Sequence, residues 1–215
     1  MDLRKVRDGY PSLTLGLKLA EIAIMKKVDL GDISGNAAYE KVREKSRQRI
    51  IELKGRRRIS VGDQVSLVFE NRDTVIFQIQ EMMRAEKISD LDKIREEIDV
   101  YNELIPAPGE LSATLFLEIE DQTHLREDLL KFLGIDEAVY FKVGGHCIHA
   151  RFEEGRSKED KISAVQYVKF PFPEPALQAF VAGEKAELVI DHPNYKASAP
   201  IEPGTRQSLM EDLTT

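Results

Sequence analysis

Pro106-Ala107-Pro108-Gly109 divides this chain into two kinds of periodicity. Two prolines and a glycine in so short a run stop a helix, because proline lacks the amide a helix needs and restricts the residue before it. Upstream of the break, apolar residues recur mostly at three- and four-residue spacing. Downstream, Leu111, Ala113, Leu115, Leu117 and Ile119 alternate with Ser112, Thr114, Phe116 and Glu118, the period of a strand with one buried face. Helices followed by a run of strands imply an α+β fold with a mostly antiparallel sheet and short helices. The organisation read here is a single α+β domain over 36–215, with a helical part at 36–107 and a sheet-rich part at 108–215.

Within the first part, a helix is predicted over 36–54, capped by Asn36 and ended by Gly55, with Tyr39, Val42, Ser46, Ile50 and Leu53 as its inward stripe. Residues 59–70 read as extended, with a turn at Gly62-Asp63. Asn71-Arg72-Asp73 forms a turn and cap before a helix over 74–87, and Asp90 caps another over 91–105. In the second part a helix over 121–133 closes at Gly134. Strands are predicted at 138–143, 147–152, 163–171 and 186–191, with a weaker one at 195–200. Gly144-Gly145 makes a hairpin turn, and short helices fall at 174–182 and 204–213.

Residues 1–35 read as an extension that is not native in part: glycines and Pro11 interrupt it, and Met25-Lys26-Lys27 makes an alternative start for the segment after residue 24. The apolar stretch 13–25 is broken by Lys18 and Glu21 and is shorter than the ~20 apolar residues of a spanning helix. The same charges, with no small-residue cleavage site behind them, argue against a signal peptide. One cysteine, Cys147, allows no internal disulfide, so packing alone must hold the fold. These features place the chain in a reducing compartment, the cytoplasm, and away from a membrane.

Charge is unevenly placed. Residues 41–58 hold nine basic and two acidic residues, so this run carries +7 of a chain whose net charge is −7, leaving −14 on the rest. Such a run either docks an anionic partner or forms a solvated helix face whose last cations complement the helix dipole. The acidic remainder and the lack of aromatics in the run weigh against nucleic acid.

Phosphate-loop, dinucleotide, Gly-x-Ser-x-Gly and His-Glu-x-x-His motifs are absent. No catalytic residue is assigned. His146-Cys147-Ile148-His149 suggests metal ligands, since thiolate and imidazole bind zinc, copper or iron. In a strand, however, Cys147, His149 and Arg151 share one face and the two histidines point apart. Cys147 and His149, with His192 beside Asp191, are the candidates for a metal site; the competing reading is a half-buried strand with a small core thiol and surface imidazoles, and no metal is favoured. A second cluster is Glu70, Asn71 and Arg72 at a strand-to-helix junction, Gln80, Glu81 and Arg84 on the following helix, and Tyr101, Asn102 and Glu103 at the end of the next. If those helices pair antiparallel, the groups line one groove, as a binding site or as an ion-pair network. Di-iron carboxylate chemistry wants Glu-x-x-His, which does not occur. The turn Asp191-His192-Pro193-Asn194-Tyr195 either displays His192 and Tyr195 to a ligand or simply joins two strands.

The run Arg57-Arg58-Ile59-Ser60-Val61-Gly62-Asp63 followed by Phe69-Glu70-Asn71-Arg72-Asp73-Thr74-Val75-Ile76-Phe77-Gln78-Ile79-Gln80-Glu81-Met82 resembles a bacterial family of unknown function. So do Tyr101-Asn102-Glu103-Leu104-Ile105-Pro106 and Gly109-Glu110-Leu111-Ser112-Ala113-Thr114-Leu115-Phe116. The resemblance spans about 36–213 and leaves out 1–24. Members of that family are often encoded beside a rubrerythrin and an iron–sulfur protein similar to heterodisulfide reductase. What this implies is an accessory or interaction protein in a peroxide-handling or electron-transfer system, responding to oxidative stress, with one of those proteins as partner. It brings no cofactor and no catalytic residue. The alternatives are a small-molecule enzyme using the Glu/Arg groove and a metal-binding protein. A homo-oligomer is open in each case.

Overall fold

The computed structural model of this chain describes residues 26–119, 122–153, 157–158 and 161–214. Of the expected extension over 1–35, residues 1–25 lie outside the described residues, while 26–35 are described and carry Val28 into the helical core. The fold is α+β. No helix among the described residues is long and apolar enough to cross a membrane.

Helix α1 (Asn36–Arg56) is capped by Gly35 with no side-chain bond, not by Asn36. Asn36 instead donates from Nδ2 to Met83 O (3.3 Å) and Ile88 O (3.0 Å), so its amide joins two helices rather than starting one. Of the expected inward stripe only Tyr39 and Ile50 are buried, and Val42 is 50% exposed. Helix α2 (Arg72–Ala85) begins with a capping box: Asn71 Oδ1 accepts from Thr74 N, and Thr74 Oγ1 accepts from Asn71 N. Helix α3 (Leu91–Asn102) is capped by Asp90 as expected. It stops three residues early: Ile105 precedes Pro106, which disfavours the helical region there. Val28, Val75, Ile79, Met83, Ile94, Ile98, Leu104 and Ile105 form the core of this helical layer.

The first hairpin is β1 (Arg58–Val61) with β2 (Val65–Glu70), and β3 (Glu110–Leu117) pairs with β2. After α4 (Leu125–Leu130) come β4 (Val139–Val143), β5 (His146–His149), β6 (Arg151–Phe152), the small hairpin β7 (Ser157–Lys158) and β8 (Lys161–Ile162), and β9 (Val165–Pro171). Helix α5 (Glu174–Val181), β10 (Ala186–His192), β11 (Tyr195–Pro200) and α6 (Pro203–Thr214) complete the chain. Two antiparallel sheets result, ordered β1-β2-β3-β9-β6 and β11-β10-β4-β5.

The two sheets share one apolar core. The predicted strand over 147–152 explains how: it divides at Ala150, so that β5 pairs with β4 and β6 pairs with β9. On the opposite side β11 meets β1, where Tyr195 Oη donates to Val61 O (2.6 Å) and accepts from Gln64 N (3.1 Å). The two sheets thus stay separate in their pairing and are joined at one side by the chain at Ala150 and at the other by the Tyr195 side chain. Phe69, Phe141, Phe170, Phe172 and Phe180 form a chain of ring contacts through its centre, with centroids 4.8–5.8 Å apart along Phe69–Phe141–Phe170 and 5.6 Å apart for Phe141–Phe172 and Phe172–Phe180. The helix expected over 121–133 is reduced to α4 with a 3-10 turn before it. Asn194 Nδ2 donates to Lys131 O, and His192 Nε2 bonds Leu133 O, so the carbonyls that follow α4 are held by side chains of the β10–β11 turn. Gly134 then reverses the chain in the left-handed region, at φ 90°.

Candidate functional site

The polar residues singled out on α2 do not face one hollow. Arg72 pairs with Asp32. Gln80 brackets Ser34, accepting from its N (2.8 Å) and donating to its O (2.9 Å). Glu81 accepts from both Arg43 Nε and Nη2 at 2.8 Å and from Tyr39 Oη at 2.8 Å. Arg84 meets Glu40 at 2.9 Å. Each of these bonds fastens α1, or the segment before it, onto α2. The Arg43 bonds hold the Glu81 carboxyl below its ordinary range, whereas burial pushes the Tyr39 hydroxyl up. The expected groove is filled by α1, because polar groups on the α2 flank find their partners there.

The same contacts resolve the charge run. Arg43 is answered by Glu81, Arg49 by Asp73, Arg57 by Asp212 and Arg58 by Glu118, while Lys54 and Arg56 sit in the last turn of α1. With Arg47 beside Glu44, five of the nine cations of the run are therefore paired with acidic residues of this chain.

Asn102 is also structural. Its Oδ1 accepts from Val28 N (2.8 Å) and its Nδ2 donates to Val28 O (3.0 Å), both bonds buried. Asn102→Ala strands both backbone groups at about 1–3 kcal/mol each. We expect the Val28 amide to lose most of its hydrogen-exchange protection in that variant; unchanged protection would show that the clamp is dispensable.

The candidate metal ligands are separated. Cys147 is exposed on β5, and His149 lies against the Tyr140 ring at 5.3 Å. His192 is buried, contrary to a surface imidazole. Its Nδ1 accepts from Asn194 N (3.2 Å) and its Nε2 bonds Leu133 O (2.8 Å), which together assign the Nε2–H tautomer and use both ring nitrogens. Among the described residues no three His, Cys, Asp or Glu side chains are grouped to hold a metal ion. Division of the strand at Ala150 carries Arg151 into the other sheet, beside Lys169 rather than beside a metal site.

That placement builds a different site. On the helix-facing side of the five-stranded sheet, register partners set Glu70, Ser112, Lys169 and Arg151 in one row across β2, β3, β9 and β6. Glu70, 1% exposed, anchors the inner end: it accepts from Thr114 Oγ1 (2.7 Å) and Gln78 Nε2 (2.9 Å). From Ser112 outward the sheet is not filled by helix. A cavity of about 650 Å³ opens there, floored by Ser112, Tyr167, Lys169 and Arg151 and roofed by Tyr101, Val100 and Leu104 of the α3 region. Its size lies within the ~300–1,000 Å³ of small-molecule sites. Met82, Phe152 and Val168 add apolar wall, and Glu97, Glu103 and Glu153 add acid groups. Ser112 is 3% exposed, and its hydroxyl has no hydrogen-bond partner among the described residues. Lys169 lies 3.4 Å from Glu110, whereas Arg151 has no ion pair among them. Burial raises the Tyr101 hydroxyl above its ordinary range, keeping it a donor.

Of the residues nominated from sequence, Tyr101 and Glu103 line this cavity and Glu70 ends its polar row. Ser112, Arg151, Tyr167 and Lys169 were not nominated. The signal for three of them was present: Ser112 on β3, and Tyr167 and Lys169 on β9, occupy the alternate positions of strands whose other face is core. The pattern marks that face as polar without saying that helices half cover it.

Residues 27–213 match the model of a family described as "Protein of unknown function (DUF3501)". The chain is also similar to a crystal structure of a protein of unknown function from Burkholderia pseudomallei K96243. The two share 33% identity over 87% of this chain and 100% of that one, with a TM-score of 0.82. No curated protein matches.

Proposed function

We propose, for a chain that belongs to the DUF3501 family of proteins of unknown function, that it is a small-molecule-binding accessory protein whose site is the cavity beneath α3. The supporting observation is the cavity itself: a largely apolar, aromatic-walled space of about 650 Å³ with a few polar groups on its floor. A fragment screen by protein-observed NMR tests it. Hits should shift Tyr101 and Tyr167 resonances, and a hit at ~100 times its Kd should stabilise the fold by about 2.7 kcal/mol. Val100, 67% exposed at the rim, can take a bulky ring without disturbing the core. Val100→Trp should block the hits while leaving Tm unchanged. Shifts that map elsewhere, or no hits at all, would sink this reading.

A second reading concerns the partner. The genomic association that the resemblance implies supports an accessory role in peroxide handling or electron transfer, with a rubrerythrin or an iron–sulfur protein as partner. Partly exposed apolar residues on the two flanks of α1 support it, Val42 at 50% beside Lys41 and Lys45 and Ile51 at 48% on the opposite flank. Pull-down from the native host tests this, and no association at micromolar concentration counts against it.

A further inference from the structure

The row across the sheet carries more information than the cavity's size. At its inner end Glu70 is buried and already holds two donors, so it offers nothing to a ligand. The next residue, Ser112, is the reverse: a hydroxyl in a residue 97% removed from solvent, exposed only to the cavity and bonded to nothing among the described residues. The oxygen is not among the fully buried unpartnered atoms, so it stays open to the cavity and can donate to a ligand acceptor there. Beyond it come Lys169 and Arg151, so the floor runs from a neutral donor to two cations within three neighbouring strands. Donor and cations on one wall, faced by Tyr101, Val100 and Leu104 on the other, match a molecule with an acceptor-rich anionic head and an apolar body.

The number of charges on that head is limited. Glu97, Glu103 and Glu153 border the same space, and Glu110 shares Lys169 at 3.4 Å. Glu103 is met by Lys27 at 3.9 Å, and of the two floor cations Lys169 is already shared with Glu110, which leaves Arg151 as the one uncommitted fork on the described floor; one such fork suits a single carboxylate better than a nucleotide or a polyphosphate. Resting on the cavity reading above, we propose that the ligand class is an amphipathic monocarboxylate, its head on Ser112, Lys169 and Arg151 and its aryl or alkyl body between Tyr101 and Tyr167.

Three probes of one shape test this: 3-phenylpropanoate, 3-phenylpropanamide and 3-phenylpropylamine, titrated by NMR against the full chain and its Arg151→Gln variant. Arg151 is exposed, so the variant should fold as the parent does. The expected result is that the carboxylate binds at least about tenfold tighter than the amide or the amine, the scale of one charged hydrogen bond. In Arg151→Gln that preference should fall to near unity while amide binding is unchanged. Equal or tighter binding of amide or amine in the same cavity would overturn the monocarboxylate assignment and leave the cavity as a site. Failure of all three probes at ~10 mM, weaker than ordinary fragment affinity, would remove both.

Discussion

Arg57→Met should destabilise the protein by about 3–5 kcal/mol, the scale of breaking a buried ion pair. Arg57 is fully buried, and all five guanidinium N–H bonds have acceptors. Nε donates to Phe69 O (2.9 Å), Nη1 to Ser208 O (3.0 Å) and Ser208 Oγ (2.9 Å), and Nη2 to Glu70 O (3.2 Å) and Asp212. One side chain thus ties β2 to α6 at the point where Glu70 begins the polar row. Arg57→Lys should cost nearly as much, because an ammonium cannot span the same acceptors. Chemical denaturation measures both, and a loss below 1 kcal/mol for either would show that the node is not structural.

Asp212 gives the same node a pH signature. Burial pushes its carboxyl up to about 6, with Arg57 opposing the shift. Three backbone carbonyls also accept from Arg57, so its N–H groups keep most of their acceptors when Asp212 is protonated. With the folded pKa raised from 3.8, the native state binds the extra proton between the two values. Stability is then fully present below pH ~4 and is lost as pH rises through ~6, by about 3 kcal/mol in total. Asp212→Asn should remove that slope and be at least as stable as the parent at pH 7. A parent whose stability rises from pH 4 to 7 by this residue's contribution would reverse the assignment.

Gly62→Ala should cost about 2–4 kcal/mol, from a left-handed backbone that an L side chain resists and from overpacking. Gly62 has φ 73°, and a Cβ there would overlap Tyr195 Oη and lie 3.0 Å from its Cζ and 3.1 Å from Ala197 Cβ. This is the seam where β11 closes against β1. Tyr195→Phe removes the hydroxyl and so relieves part of the overlap, at the loss of the bonds to Val61 O and Gln64 N. The double variant should therefore be less destabilised than the sum of the two singles, by about 1 kcal/mol or more. Strict additivity would mean that the seam is loose enough to accept the methyl group.

What could be read from the chain alone was local. The Asp90 cap, a capping turn at Asn71-Arg72-Asp73, a chain reversal at Gly134, the period-two face of β3 and the α+β order each depend on residues within a turn or a strand of one another, although the cap itself is Asn71 and the helix starts at Arg72 rather than at Thr74. The Glu-Asn-Arg-Asp-Thr-Val run marked a conspicuous segment correctly but not its task, since Asn71 and Arg72 serve a helix start and an ion pair. Only the tertiary structure decided that Arg57 meets Asp212 across 155 positions, that Tyr195 closes on Val61 across 134, and that the α2 carboxylates and guanidinia are consumed by α1. It also decided that Ser112, Tyr167, Lys169 and Arg151 share a floor. Periodicity reports whether a residue is covered; it carries no address for the surface that covers it, and a polar residue between two core positions reads the same whether it faces water, a helix or a cavity.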